Sequence, residues 1–150
     1  MLFRCKLLEF NSDEHLDSIE IRRQVLRQPL GLDFTQEELD AEKDQFQFIV
    51  YLFDKLMGVM ILKRVENDSN AVFKMRQVAV LPQYQGQGAG RFMVRFAENW
   101  ARSMGAERIE LHARETALNF YLKYGYNVVG DVFEEVGIPH FKMIKDLKLK

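Results

Sequence analysis

The feature that most constrains this chain is a glycine-rich turn between an apolar strand and an amphipathic helix. Val78-Ala79-Val80-Leu81 favours β structure, and Pro82 ends it because proline lacks an N–H donor and has a fixed φ. Gly86, Gly88 and Gly90 then alternate, and apolar side chains recur at helical spacing after them. The pattern predicts a strand, a tight loop and a helix in immediate succession.

A loop of this kind is typical of an anion-binding site. The first amides of a helix lack partners within the helix, the helix dipole adds partial positive charge, and glycines let an anion approach without meeting a Cβ atom. No Lys-Ser/Thr pair follows the last glycine, which excludes a Walker loop. The spacing and the missing downstream acidic residue exclude a dinucleotide fingerprint. Nucleotides, phosphates and sulfates all remain open at this point.

Composition narrows the class of protein. A chain of 150 residues, 47% of them hydrophobic, predicts one globular domain over residues 1–150. A net charge of −1 argues against a nucleic-acid binder, which usually carries a basic surplus. The single cysteine, Cys5, indicates a reducing compartment, and we expect it to be a small buried or half-buried residue rather than a nucleophile. Without a signal-peptide pattern or a membrane-length apolar run, the prediction is a cytoplasmic protein with no membrane contact.

Periodicity and turn residues predict the element order βααβββαβαββ, a mixed sheet flanked by helices in class α+β. The predicted strands cover residues 3–10, 45–53, 56–65, 71–81, 108–113, 126–135 and 139–147. The predicted helices run from 11–14 to 28, from 35 to 44, from 88 to 103 and from 116 to 124. Turns are expected at 54–55, 66–70 and 137–139, with a possible bulge at Gly58. Strand 108–113 follows a crossover helix, so we expect it to pair in parallel.

Two motifs resemble the GNAT superfamily of acyl-CoA N-acetyltransferases. Gln85-Gly86-Gln87-Gly88-Ala89-Gly90, after a strand ended by proline, is similar to the Q/R-x-x-G-x-G/A signature. The segment from Ala117 to Tyr126 is similar to A-x-x-F-Y-x-x-x-G-F. Leu111-His112-Ala113 and the segment from Phe133 to His140 resemble the ElaA-like branch. The resemblance covers nearly the whole chain and implies a twisted, splayed sheet that parts between strands 71–81 and 108–113.

The resemblance implies acetyl-CoA as cofactor. The strand residues Val78, Ala79 and Val80 would pair with the pantetheine arm through their backbone. Backbone amides would hold the pyrophosphate; they belong to Gln85, Gly86, Gln87, Gly88, Ala89, Gly90 and Arg91. The spacing of His, Cys, Asp and Glu indicates no metal site.

The resemblance also implies that Tyr121 protonates the leaving sulfur; a core aromatic residue is the alternative. His112 and His140, with Glu110 behind them, are candidates for the base that deprotonates the amine. Structural histidines and a water-mediated route stay open. Arg114 stands where many members of the family have asparagine, and it could face the cofactor, an acidic substrate group or solvent.

These features predict an N-acetyltransferase in which a primary amine, on a small molecule or a peptide, attacks the thioester directly. A non-catalytic acyl-CoA sensor and an interaction module on the same fold are the alternatives. Arg22, Arg23 and Arg27 could attract a carboxylate-bearing acceptor or form a solvated face. A homodimer is plausible through the terminal strands and exposed aromatic residues such as Phe133 and Phe141.

Overall fold

The computed structural model describes residues 2–65 and 71–148. The helices are α1 (Asp13–Arg22), α2 (Gln36–Asp40), α3 (Ala89–Ser103) and α4 (Leu118–Lys123). The strands are β1 (Phe3–Leu7), β2 (Phe46–Leu52), β3 (Lys55–Arg64), β4 (Val72–Val80), β5 (Arg108–Arg114), β6 (Asn127–Val128), β7 (Phe133–Glu135) and β8 (Ile138–Asp146). The predicted turn at 66–70 lies outside the described residues.

Within the described residues, eight strands form one mixed sheet in the order β1-β2-β3-β4-β5-β8-β6, with β7 also paired to β8. The α+β class is thereby confirmed. The predicted strand 126–135 is wrong in detail, because β6 and β7 pair with β8 separately and Gly130, with φ of 79°, lies between them. The predicted turn at 137–139 is also displaced. Val136 and Gly137 form it, with φ of 48° and 79°, and β8 already begins at Ile138.

The first helix follows its predicted capping signals at both ends. The Ser12 hydroxyl accepts a hydrogen bond from the His15 N–H at 3.1 Å, which satisfies one of the free amides at the helix start. Beyond α1 the chain continues as a π-helical turn over Arg23–Arg27 and a 3-10 turn over Gln28–Leu30. Gly31 then ends the helical run in the left-handed conformation, with φ of 70°.

Two further local predictions need small corrections. Thr35 and Glu38 form a capping box at the predicted start of the second helix, but α2 ends at Asp40 rather than at residue 44. The β2–β3 turn is Phe53-Asp54 instead of 54–55, since Phe53 takes φ of 56° and β3 begins at Lys55.

The chain divides into two compact units, and the first contains residues up to Lys63 together with Gln77–Ala97. Strand β2 is buried almost throughout because helices cover both of its faces. Ile49 packs with Ile21 of α1, whereas the adjacent Phe48 meets Phe96 of α3 edge to face at 5.4 Å. The continuous apolar run of β2 therefore fits a strand between two helical layers.

Gly58 marks an irregularity in this unit, as predicted. The β2–β3 pairing passes from Val50 opposite Gly58 to Tyr51 opposite Leu56, which leaves Met57 as the extra residue of a bulge. A Cβ atom on Gly58 would lie 2.9 Å from the Ala79 carbonyl oxygen. Only glycine allows β4 to approach β3 this closely.

The second unit contains Arg64–Arg76 and the chain from Glu98 onward. Residues Val72–Met75 of β4 pair in parallel with Arg108–Leu111 of β5, which confirms the predicted parallel pairing. Phe73 packs edge to face on Trp100 at 5.4 Å. The buried Glu98 carboxylate accepts hydrogen bonds from the Tyr126 hydroxyl at 3.0 Å and the Lys145 ammonium at 3.0 Å. A buried carboxylate needs such partners, because burial without them is costly.

Candidate functional site

The glycine loop lies in the first unit and is bare on its outer side. Gly86 and Gly88 take φ of 78° and 88°, a region that side chains other than glycine rarely adopt. A Cβ atom on Gly86 would meet no atom within 4 Å, and one on Gly88 would meet only the Phe3 ring, at 3.9 Å. Residues Gln85 to Gly88 are exposed. The backbone here is therefore open to a ligand.

Helix α3 begins immediately after this loop, and the Phe92 N–H already bonds to the Gly88 carbonyl at 3.1 Å. The first turn of the helix carries no acidic side chain. The positive end of the helix dipole is thus not neutralised by a carboxylate within its own first turn. The glycine backbone and the helix start together fit a diphosphate group.

Strand β4 presents backbone groups at its end. The Leu81 N–H donates to the Met57 carbonyl of β3 at 2.8 Å. Since successive peptide groups of a strand alternate in direction, the backbone groups of Val80 and Val78 point away from β3. The side-chain amide of Gln85 donates to the Val80 carbonyl at 2.9 Å and holds the loop against the strand end. Ala79 between them is buried.

The catalytic candidates lie in the second unit. Tyr121 of α4 is 8% exposed, and its ring meets that of Tyr126 edge to face at 5.6 Å. Burial raises the pKa of the Tyr121 phenol to about 12. The phenol therefore keeps its proton at neutral pH, as a proton donor must. Its packing also fits the core-aromatic alternative, so the role of Tyr121 stays a prediction.

His112 and His140 share a carboxylate that the sequence did not single out. Nδ1 of His112 lies 2.9 Å from one oxygen of Glu135, and Nε2 of His140 lies 3.6 Å from the other. Burial alone would raise the pKa of Glu135, but the hydrogen bond with His112 and the charges of both histidines and Lys74 outweigh it and lower that pKa. The structure brings these three side chains together. The feature of the sequence that could have identified Glu135 is the turn that follows it.

Glu110 and Arg114 lie close to the histidines, and the structure shows what surrounds each of them. Glu110, predicted to stand behind the histidines, has its carboxylate 3.8 Å from the Lys142 ammonium. Arg114 is half-buried directly opposite His140 in the β5–β8 pairing, and burial lowers the pKa of its guanidinium. Its role in place of the common asparagine stays a prediction.

The arginines of the first helical segment are engaged within the protein. Arg22 is buried and forms a two-pronged ion pair with Glu42. Arg23 binds Asp33 at 2.7 Å, and Arg27 stacks on the Phe34 ring at 4.4 Å. The solvated-face interpretation is wrong for Arg22, because Glu42 compensates its charge inside the core.

Other predicted features can be placed as well. Cys5 is half-buried, and burial raises the pKa of its thiol to about 12, which suits an inert residue. Phe133 and Phe141, predicted to be exposed, are only partly exposed, and Phe133 packs on both histidine rings. Across residues 2–65 and 71–148, no group of three His, Cys, Asp or Glu side chains could hold a metal ion. Within the same ranges, no helix is long and apolar enough to cross a membrane.

Comparisons with known proteins agree with this geometry. The sequence model of the acetyltransferase (GNAT) domain matches residues 12–147. An uncharacterized N-acetyltransferase of Bacillus subtilis (strain 168), YjcF, is 26% identical over 137 residues, covering 91% of this chain and 95% of that protein. The crystal structure of Escherichia coli ElaA superposes with a TM-score of 0.77 at 20% identity, covering 96% of this chain and 99% of ElaA. A Bacillus subtilis acetyltransferase crystallised in complex with CoA gives a TM-score of 0.72 at 20% identity, with 97% and 99% covered.

Proposed function

Because the chain belongs to the acetyltransferase (GNAT) family, we propose that it transfers an acetyl group from acetyl-CoA to a primary amine. Enzymes of this family use acetyl-CoA and act on amine acceptors. The observation that carries the proposal is the loop at Gly86 and Gly88, whose left-handed backbone is bare and opens onto the start of α3. The match over residues 12–147 also supports a single domain over residues 1–150.

The loop from Gln85 to Arg91 would bind the pyrophosphate through backbone N–H groups and the α3 dipole. Val78 and Val80 would bind the pantetheine amides through backbone groups that point away from β3. Acetyl-CoA, when bound, supplies a thioester whose acyl carbon an amine can attack. The split of the sheet beyond the β4–β5 pairing stays a prediction.

The residues of the second unit would handle the protons. An alkylammonium acceptor first gives one proton to an imidazole, His112 or His140, since only the free amine has a lone pair for attack. Its nitrogen then forms the amide bond as the carbon–sulfur bond breaks. Tyr121 Oη donates its proton to the leaving sulfur, and the second proton of the amine nitrogen restores the phenol. The products are the amide, the free thiol and one proton released to water.

A screen of primary amines with acetyl-CoA tests this function, with free-thiol release and the product mass as readouts. We expect a mass increase of one acetyl group on at least one amine. Tight CoA binding in calorimetry without turnover on any amine would favour the acyl-CoA sensor. Absence of CoA binding would favour an interaction module, in which the loop is only structural.

The role of Tyr121 is tested by Tyr121→Phe, with Tyr124→Phe as the matched control at the end of the same helix. We expect Tyr121→Phe to keep the Kd for CoA and to lower kcat by about a hundredfold, the usual contribution of a positioned acid. The control should keep both values. Unchanged kcat in Tyr121→Phe would remove this residue from the mechanism.

A further inference from the structure

Three strands bring one carboxylate between two imidazoles. His112 lies on β5, His140 on β8 and Glu135 at the end of β7. One oxygen of Glu135 faces His112 Nδ1 at 2.9 Å, and the other faces His140 Nε2 at 3.6 Å. These contacts distinguish the two histidines, which the sequence alone left as equivalent candidates for the base.

Neither ring nitrogen of His140 is open to a substrate, because Nδ1 is hydrogen-bonded and Nε2 is buried. Its Nδ1 lies 3.0 Å from the Ile138 carbonyl oxygen, which can only accept, so Nδ1 carries a proton. Its Nε2 faces Glu135, and the side chain is 4% exposed. His140 therefore has no ring nitrogen available for a substrate.

His112 differs at one atom. Its Nδ1 is engaged by Glu135, but within the described chain its Nε2 makes no hydrogen bond. The side chain is 24% exposed. A carboxylate at Nδ1 holds the proton there and leaves the Nε2 lone pair free to accept another, which is the arrangement of a general base.

We propose that His112 is the general base of the acyl transfer and that Glu135 is its positioning residue, with the buried His140 ring packed beside the far oxygen of the carboxylate. The proposal rests on the proposed function, because a base is needed to deprotonate an ammonium acceptor. His112 Nε2 takes that proton, and the resulting imidazolium is stabilised by the Glu135 carboxylate at Nδ1. His112 then releases the proton to water.

The backbone before and after Glu135 is built to hold it in place. Val136, the next residue, adopts φ of 48°, which is unusual for a β-branched side chain and is retained only where the surroundings require it. Together with Gly137 it makes a two-residue turn that places Glu135 opposite Ile138. Phe133, on the same face of β7, packs edge to face on His112 at 4.9 Å and lies 6.0 Å from the His140 ring. Both imidazoles are thus fixed by β7.

The charges around this cluster come from three strands. Lys74 of β4 and Arg114 of β5 act on Glu135 and favour its ionised form. Lys142 of β8 stands opposite His112 in the pairing, and its ammonium is 3.8 Å from Glu110. Cations of β4 and β5 therefore act on the carboxylate, and substitution of Glu135 would remove the negative charge that contacts His112.

Nitrogen NMR of the imidazole rings tests the geometry without any substrate. The chain has 3 histidines, and the third, His15, accepts the Asn11 N–H at Nδ1, so its neutral ring carries the proton at Nε2. We expect the neutral rings of His112 and His140 to carry their proton at Nδ1. His15, protonated at Nε2, serves as the reference within the same protein. A neutral His112 protonated at Nε2 would overturn the proposal.

Kinetics tests the role, with Glu135→Gln compared with Glu134→Gln, which removes the same charge from the adjacent exposed residue. We expect Glu135→Gln to lower kcat about tenfold and to move the acidic limb of the kcat/KM profile to lower pH, because the imidazolium loses its counter-charge. Glu134→Gln should leave the limb in place. An acidic limb at the same pH in the two variants would overturn the role of Glu135.

Substitution of each histidine completes the test. His112→Gln should remove the acidic limb of the kcat/KM pH profile and lower kcat by about a hundredfold. His140→Gln should keep an acidic limb in this profile. The reverse result would overturn the assignment of the base. If wild-type protein acylates no amine, the proposed function fails; the NMR result then still decides whether Glu135 holds His112 in the Nδ1-protonated form.

Discussion

The buried ion pair of the first unit offers a sharp test of what stabilises it. Arg22 and Glu42 have side chains that are only 1% and 5% exposed. Two hydrogen bonds join them, at 2.9 Å and 2.8 Å, and the Arg22 Nε donates to the Gln77 side-chain oxygen at 3.0 Å. Glu42→Ala removes the carboxylate and leaves the guanidinium charge in the core.

The expected cost follows from that burial. Removing one partner of a buried pair costs about 3–5 kcal/mol, because the remaining charge is desolvated without compensation. Arg23 and Asp33 form the matched exposed pair, at 2.7 Å with side chains 29% and 60% exposed. Solvent screens such a pair, so Asp33→Ala should destabilise the protein far less than Glu42→Ala does. For a domain of this length, the loss in Glu42→Ala corresponds to a fall in Tm of roughly 10 °C.

Urea unfolding of the two variants measures the difference, with the midpoint and the m value fitted for each. We expect Glu42→Ala to reduce the free energy of unfolding by about 3–5 kcal/mol, and Asp33→Ala to reduce it far less. Joint replacement, Arg22→Met with Glu42→Leu, should recover most of the loss, since no charge then remains buried. Equal losses in the two single variants would refute the reasoning.

Other substitutions test the loop, the bulge and the cysteine. Gly86→Ala should raise the Kd for CoA about tenfold in calorimetry, because its Cβ atom would point into the space proposed for the diphosphate. Gly31 has a similar φ of 70° and equally open surroundings, so Gly31→Ala should leave this Kd unchanged. Equal effects of the two substitutions would contradict the assignment of the loop. Gly58→Ala should lower the free energy of unfolding by about 1–3 kcal/mol, because its Cβ atom would lie 2.9 Å from the Ala79 carbonyl oxygen. A smaller loss of stability would show that β4 can move away from β3. Native Cys5, whose thiol pKa is about 12, should react with iodoacetamide at pH 8 at least about a hundredfold more slowly than in urea, and a fast native reaction would show that the thiol is accessible.

The parts of the fold that could be predicted are those governed by neighbouring residues. Ser12 and Thr35 cap their helices as expected because a side-chain oxygen reaches an amide three residues away. Gly31 and Gly105 end helical segments because they adopt positive φ there. The glycine loop follows the same principle, since positive φ at Gly86 is a property of that residue and its turn.

Errors arose where distant segments decide the outcome. The strand predicted over 126–135 divides because each part pairs with a different stretch of β8. Leu16 stands at helical spacing from the buried Ile19, yet it is 63% exposed. Arg22, on the face that periodicity treated as polar, is buried instead because Glu42 arrives from 20 residues further along the chain. Helical spacing identifies a face, but a partner from elsewhere decides whether a charge on it can be buried.

The sequence by itself determined the caps at the starts of the first two helices, the glycine loop, the parallel pairing of β5 and the family. The caps and the loop depend on short patterns with strict backbone requirements, and the parallel pairing depends on the crossover helix before β5. The tertiary structure decided which charged side chains are compensated in the interior and which histidine keeps a free nitrogen. The second outcome depends on strand register. The Val136-Gly137 turn sets Glu135 opposite Ile138, and the β5–β8 pairing brings His112 to the same carboxylate. Residues 23 positions apart in the chain then lie 2.9 Å apart, a contact that no local pattern encodes.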